Sequence, residues 1–157
     1  MLWAPSTRIV ETYMEGRYFI DTGVFIASFD DSDADRQNIA QKLIGTALAE
    51  HVGIISYQVI EELLHHFMDR FEKKLEPGDT DEYLERVLIP LCEVYPTVEL
   101  YETALNLCFE RRYSYKDALI LAASQRGSCK VLFSDRLKHG STVGALTIHN
   151  PFRKLDG

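Results

Sequence analysis

Tyr18-Phe19-Ile20-Asp21 sets three bulky apolar residues ahead of a carboxylate. A short, unbroken apolar run of this kind reads as a buried strand. Asp21 then stands where that strand ends. The same order returns late in the chain, where Lys130–Ser134 reads as a strand and Asp135 follows it.

Between these two points the pattern alternates. Ile39, Ala40, Leu43, Ile44, Ala47 and Leu48 keep a helical period, and Gly53–Ser56 reads as a second strand. Val59, Ile60, Leu63, Leu64, Phe67, Met68 and Phe71 form the apolar stripe of an amphipathic helix. Glu76-Pro77-Gly78-Asp79 is a turn signal, and Tyr83, Leu84, Val87 and Leu88 suggest a further helix. Val94-Tyr95 reads as a short strand. Glu99–Arg112 and Tyr115–Arg126 read as two more helices, with Gly127 as a natural stop for the second. Ala145–His149 reads as a last strand. Strands alternating with helices imply an α/β fold with a parallel, helix-covered sheet.

The chain has 157 residues, the size of one compact domain. Met14 is a candidate start for that domain, with residues 1–13 as an extension and 14–157 as a single unit. Cys92, Cys108 and Cys129 are widely spaced and odd in number, which argues against a disulfide framework or a cysteine zinc site. A reducing cytoplasm is the compartment this usage suggests. No apolar run approaches the roughly 20 residues that a membrane span requires.

A net charge of −7 argues at first against a nucleic-acid partner. Its distribution weakens that argument. Residues 1–110 carry 8 basic and 21 acidic residues, a balance of −13, whereas residues 111–157 carry 9 and 3, a balance of +6. A localised basic face is what phosphate binding needs, whatever the total. A solvated surface with uneven charge is the alternative.

In open α/β sheets, ligands bind beyond the carboxyl ends of the strands. Asp21 and Asp135 stand at such ends, and aspartates that merely start turns would look the same. Asp117 precedes the run Ala118-Leu119-Ile120-Leu121-Ala122-Ala123, which has no polar side and so belongs to a deeply packed helix. Asp117 either closes a capping box with Ser114 or uses its fixed position as a ligand. Glu61 and Glu62 open the helix after the second strand. Periodicity brings Glu61 nearer the apolar stripe and turns Glu62 further away.

Four segments together resemble a PIN domain. Phe19-Ile20-Asp21-Thr22-Gly23-Val24-Phe25-Ile26-Ala27 is similar to its first motif, and Ser56-Tyr57-Gln58-Val59-Ile60-Glu61-Glu62-Leu63 to its second. In that register the family glutamate falls on Glu62. Tyr113-Ser114-Tyr115-Lys116-Asp117-Ala118-Leu119-Ile120 resembles the third motif, and Leu132-Phe133-Ser134-Asp135-Arg136-Leu137 the fourth. Two positions depart from the pattern. Gly23 stands where the family often has Asn, and Arg136 stands where many relatives have an acid. Asp135 then serves from one position earlier, or the fourth ligand is absent.

The resemblance implies a three-layer α/β/α sandwich and a metal-dependent ribonuclease. It implies Asp21, Glu62, Asp117 and Asp135 as the catalytic, metal-binding carboxylates, with Thr22 and Ser134 orienting them. Crowded carboxylates need a cation, and oxygen ligands favour Mg²⁺ or Mn²⁺. Lys116, Arg136 and Lys138 are the candidate RNA contacts. Among PIN proteins, the VapC-type toxins of toxin–antitoxin pairs match this length, which implies an antitoxin partner and a homodimer. A housekeeping RNA-processing nuclease and a catalytically inert metal-binding module are the alternatives. A phospho-receiver domain, which would need its acceptor aspartate at a mid-chain strand end, fits less well.

Other sites fail on the residues. Asp31, Asp33 and Asp35 open like a calcium loop, but Arg36 and Lys42 stand where Gly and Glu are needed. Capping explains these aspartates better. His65 and His66 are adjacent and point to different faces of a helix, so they form no zinc pair. His139, near the fourth motif, reads as an exposed polar histidine.

Overall fold

The computed structural model describes residues 16–69 and 76–153. The elements run β1 (Arg17–Ile20), α1 (Thr22–Ser28), α2 (Ala34–Glu50), β2 (Gly53–Ser56), α3 (Tyr57–Asp69) and α4 (Pro77–Tyr83). A π turn (Leu84–Leu88) leads into α5 (Ile89–Leu91), followed by β3 (Cys92–Val94), α6 (Val98–Arg111) and α7 (Tyr115–Arg126). The chain closes with β4 (Cys129–Phe133), β5 (Thr142–Val143) and β6 (Leu146–His149).

One sheet has the order β3-β2-β1-β4-β6-β5. All neighbours are parallel except β5 with β6. The sheet and its flanking helices make the α/β sandwich that the alternating pattern implies. Its strands are buried on both faces, which is why they read as plain apolar runs and not as alternating ones. Phe19, Phe25, Phe67, Phe133 and Phe152 are fully buried. Each such ring contributes on the order of 1.5–3 kcal/mol of hydrophobic stabilisation.

The strand order positions the site. From β1 the chain moves outward through β2 to β3, then returns to the other side of β1 at β4. The connections therefore diverge at the carboxyl ends of β1 and β4, where such sheets open a crevice. The Asp21 amide donates to the Phe133 carbonyl at 3.0 Å, which locks these two strand ends together.

Three local features differ from the expectation. Glu76-Pro77-Gly78-Asp79 begins a helix instead of a turn, because Pro77 sits in the first turn, where its missing N–H costs nothing. That helix continues through the π turn to α5, where Pro90 again lacks an amide in mid-helix and the ladder widens ahead of it. α1 was not legible as a helix, since its seven residues include a glycine and show no polar face. The anticipated extension over residues 1–13, and Phe71 at the end of the second expected helix, lie outside the described residues.

Candidate active site

Asp21 leaves β1 and becomes the cap of α1. Its Oδ1 accepts from the Thr22 amide at 2.8 Å, and its Oδ2 accepts from Ser134 Oγ at 2.7 Å. The residue is only 1% exposed. Asp21 thus starts α1 through one oxygen and meets the end of β4 through the other. Ser134 Oγ also accepts from the amides of Arg136 and Leu137, each at 3.2 Å. The serine therefore shapes the loop after β4 while holding the carboxylate at the end of β1.

Asp117 approaches from α7. Its amide donates to Ser114 Oγ at 3.2 Å, so one half of the expected capping box exists. Its carboxylate turns to the site: Oδ1 lies 2.7 Å from Arg136 Nη1. This is a charge contact outside hydrogen-bond alignment, because the buried Oδ1 has no hydrogen-bond partner. Arg136 Nη2 lies 3.5 Å from Asp21 Oδ2. One guanidinium thereby stands between the two carboxylates.

The remaining two acids have their own cations. Glu62 Oε1 accepts from Thr22 Oγ1 at 2.9 Å, and Oε2 lies 3.2 Å from Lys116 Nζ. Glu62, not Glu61, is the half-buried member of the pair, as the motif register implies and the helical wheel does not. The wheel misleads because α3 contacts both the core and α1, so it is covered on more than one side. Asp135 Oδ2 lies 3.4 Å from Arg36 Nη2. Asp135 also lies against Gly23, where any Cβ would overlap its carboxylate. The two departures from the motif pattern are therefore adjacent in space to the same acid: Gly23 leaves room for Asp135, and Arg136 follows it in sequence.

A family model for the PIN domain matches residues 18–137. The chain belongs to the PIN-domain family. Among solved structures it is similar to FitAcB from Neisseria gonorrhoeae, at 15% identity and a TM-score of 0.61, covering 86% of this chain and 98% of that one. At that identity the likeness concerns the fold alone. No protein with a curated description matches the chain. PIN domains are generally nucleases.

Beside the carboxylates, this PIN domain has a cleft of about 460 Å³. Asp21, Thr22, Gly23, Glu62, Lys116 and Arg136 line one part of it. Ile26, His65, His66 and Asp69 line the rest. Glu62, His65, His66 and Asp69 recur at helical spacing, so the cleft runs along one face of α3. That spacing was the available signal for the two histidines, which both border the cleft despite being neighbours in sequence. Lys138 is exposed and does not line it. His139 is tied elsewhere, its Nδ1 accepting from the Asn150 amide at 3.0 Å.

Sequence reasoning missed Arg36 and Gln58. Arg36 stacks 4.2 Å over the Phe152 ring and reaches Asp135 across 99 positions of sequence. Gln58 Nε2 donates to the Lys116 carbonyl at 3.1 Å, joining the starts of α3 and α7. Asp33 caps α2 by accepting from the Arg36 amide at 3.2 Å, so capping accounts for its place in the aspartate run. Burial pushes the Asp135 carboxyl above the usual carboxylate range. The nearby Asp21 charge adds to this, against the weaker opposing pull of Arg36 and Arg136.

Among the described residues, no three His, Cys, Asp or Glu side chains converge closely enough to hold a metal ion. The fit to a divalent cation rests on two. Asp21 and Asp117 present oxygen donors on either side of a shared positive charge, and Asp117 Oδ1 is buried without a hydrogen bond. That pair suits a hard, oxygen-seeking cation. Glu62 and Asp135 flank it, each paired with its own base.

Proposed function

We propose that this PIN domain is a metal-dependent endoribonuclease that hydrolyses RNA phosphodiester bonds. The observation that carries this reading is the meeting of Asp21 and Asp117, 96 positions apart in sequence, around one cationic position beside a base-lined cleft. Asp21 and Asp117 would hold Mg²⁺ or Mn²⁺. Bound there, such an ion would supply Lewis-acid chemistry for the attack of water on phosphorus. Thr22 and Ser134 orient Glu62 and Asp21 through their hydroxyls. Lys116 and Arg136 receive the phosphate backbone, with Lys138 further out, and affinity falls as salt rises. Glu62 and Asp135 complete the carboxylate set.

The motif resemblance favours the toxin of a toxin–antitoxin pair, acting in the cytoplasm as one domain over residues 14–157. A housekeeping nuclease is the nearer alternative. Val98, Tyr101, Leu105 and Phe109 form an exposed apolar stripe along α6 and support a homodimer. Glu99 and Glu102 lie near one end of that helix and Arg111 and Arg112 at the other, so an antiparallel two-fold pairing brings opposite charges together. Among the described residues, no helix is long and apolar enough to cross a membrane.

The test is incubation of the purified chain with mixed RNA, with and without Mn²⁺ or Mg²⁺, alongside Asp21→Asn and Asp117→Asn. Metal-dependent cleavage lost in both variants supports the reading, and cleavage that survives both removes it. Mn²⁺ binding without cleavage favours an inert module, a reading to which Gly23 and Arg136 lend weight.

A further inference from the structure

Arg136 occupies the place between Asp21 and Asp117, and a guanidinium is charged at every accessible pH. It cannot share that place with a divalent ion, because two cations so close repel. We propose that Arg136 is a built-in counter-ion that must leave Asp21 and Asp117 before a divalent metal binds, and that an RNA phosphate takes the released guanidinium. The inference rests on the reading of Asp21 and Asp117 as metal ligands.

The anatomy of Arg136 suits a movable tip on a fixed base. Its amide is anchored on Ser134 Oγ at 3.2 Å, while its side chain is 38% exposed and borders the cleft. Neither of its contacts is a strong paired fork. Asp117 Oδ1 is out of hydrogen-bond alignment, and the Asp21 contact is at the 3.5 Å limit. A phosphate offers the guanidinium two well-directed acceptors, a geometry that the split pair of carboxylates does not provide. The exchange breaks no covalent bond and moves no proton: the guanidinium passes from carboxylates to phosphate, and the metal takes the carboxylates.

Other charges around the site do not substitute for it. Lys116 is held by Glu62 and Arg36 by Asp135, so neither spans the Asp21–Asp117 pair. Metal affinity is therefore lowered by the loss of the Arg136 contacts, and phosphate binding recovers that loss. Linkage requires the effect to be mutual: an oligonucleotide tightens metal binding by the same factor as metal tightens the oligonucleotide.

The experiment is titration of the full chain with Mn²⁺, following free Mn²⁺ by electron paramagnetic resonance. It is run with and without an uncleavable 2′-O-methyl RNA oligonucleotide, for wild type, Arg136→Gln, Arg136→Lys and Asp117→Asn. Arg136→Gln is expected to bind Mn²⁺ about tenfold more tightly than wild type, within the usual range of site coupling. The oligonucleotide is expected to tighten Mn²⁺ binding in wild type and not in Arg136→Gln. Arg136→Lys, which keeps one charge but loses the two-pronged reach, is expected to fall between them. It also serves should the Gln variant fail to fold. Equal or weaker Mn²⁺ binding in both folded Arg136 variants overturns the inference and leaves the metal site standing. Absence of Mn²⁺ binding in wild type and every variant, or full binding by Asp117→Asn, overturns the metal reading and the inference with it.

Discussion

Ser134 Oγ donates a 2.7 Å hydrogen bond to Asp21 Oδ2, joining the carboxyl ends of β4 and β1 across 113 positions of sequence. Both groups are buried, Ser134 fully. The bond therefore does two things: it satisfies a buried carboxylate oxygen and it fixes where that carboxylate points. Ser134→Ala leaves the oxygen and two loop amides without this partner. The expected cost is about 1–3 kcal/mol of stability and roughly 10–100-fold in metal affinity. Denaturant melts and Mn²⁺ titration check the two effects separately. Unchanged metal affinity in a destabilised protein would mean that Ser134 serves the loop alone.

Gly23 is expected to resist any side chain, because a Cβ there overlaps the Asp135 carboxylate. Overpacking of this kind costs about 1–3 kcal/mol. Gly23→Ala should lower the melting temperature, and Asp135→Ala in the same chain should recover most of the loss. A double-mutant cycle measures this coupling directly. Additive effects would show that the strain of Gly23→Ala is relieved elsewhere.

Thiol reactivity is expected to divide by burial. The Cys129 thiol is pushed up to about 12 by burial, against a smaller lowering by Arg17, and burial also raises Cys92. The thiolate is the reactive form, so both stay protonated and inert at pH 8. Cys108 is partly exposed. Brief iodoacetamide treatment of the native protein should label Cys108 alone by mass spectrometry, and urea should open all three. Raising the pH should label Cys129 only near its elevated pKa or when the fold is lost.

Helix α6 is about 21 Å long for its 14 residues, and the stripe from Val98 to Phe109 runs along most of it. Phe109 is 82% exposed and gains nothing from the core of its own chain. Phe109→Glu is expected to leave the melting temperature of the monomer unchanged while converting a dimer to monomers by sedimentation velocity. A monomeric wild type under the same conditions would leave the stripe for a different partner.

Much of the architecture was already determined by the order of residues. Buried strands read as apolar runs, α2 and α3 read as periodic stripes, α6 and α7 read as two further helices, and Asp21 and Asp135 fell just past strand ends. These signals are local, since side chains one or two turns apart share a face whatever the rest of the chain does. The motif register also selected Glu62 over Glu61, where periodicity alone pointed the other way.

The pairing of charges was decided only by the tertiary structure. Arg136 reaches Asp117 and Asp21, Arg36 reaches Asp135, and Thr22 reaches Glu62, all through contacts a few ångströms long between distant segments. Such contacts depend on strand order and on how each crossover returns, which no local pattern records. The sequence marked Gly23 and Arg136 merely as departures. In three dimensions Gly23 makes room for Asp135, and Arg136 is the cation between Asp21 and Asp117. The reason is range: periodicity is set by neighbours along the chain, whereas electrostatics at a site is set by neighbours in space.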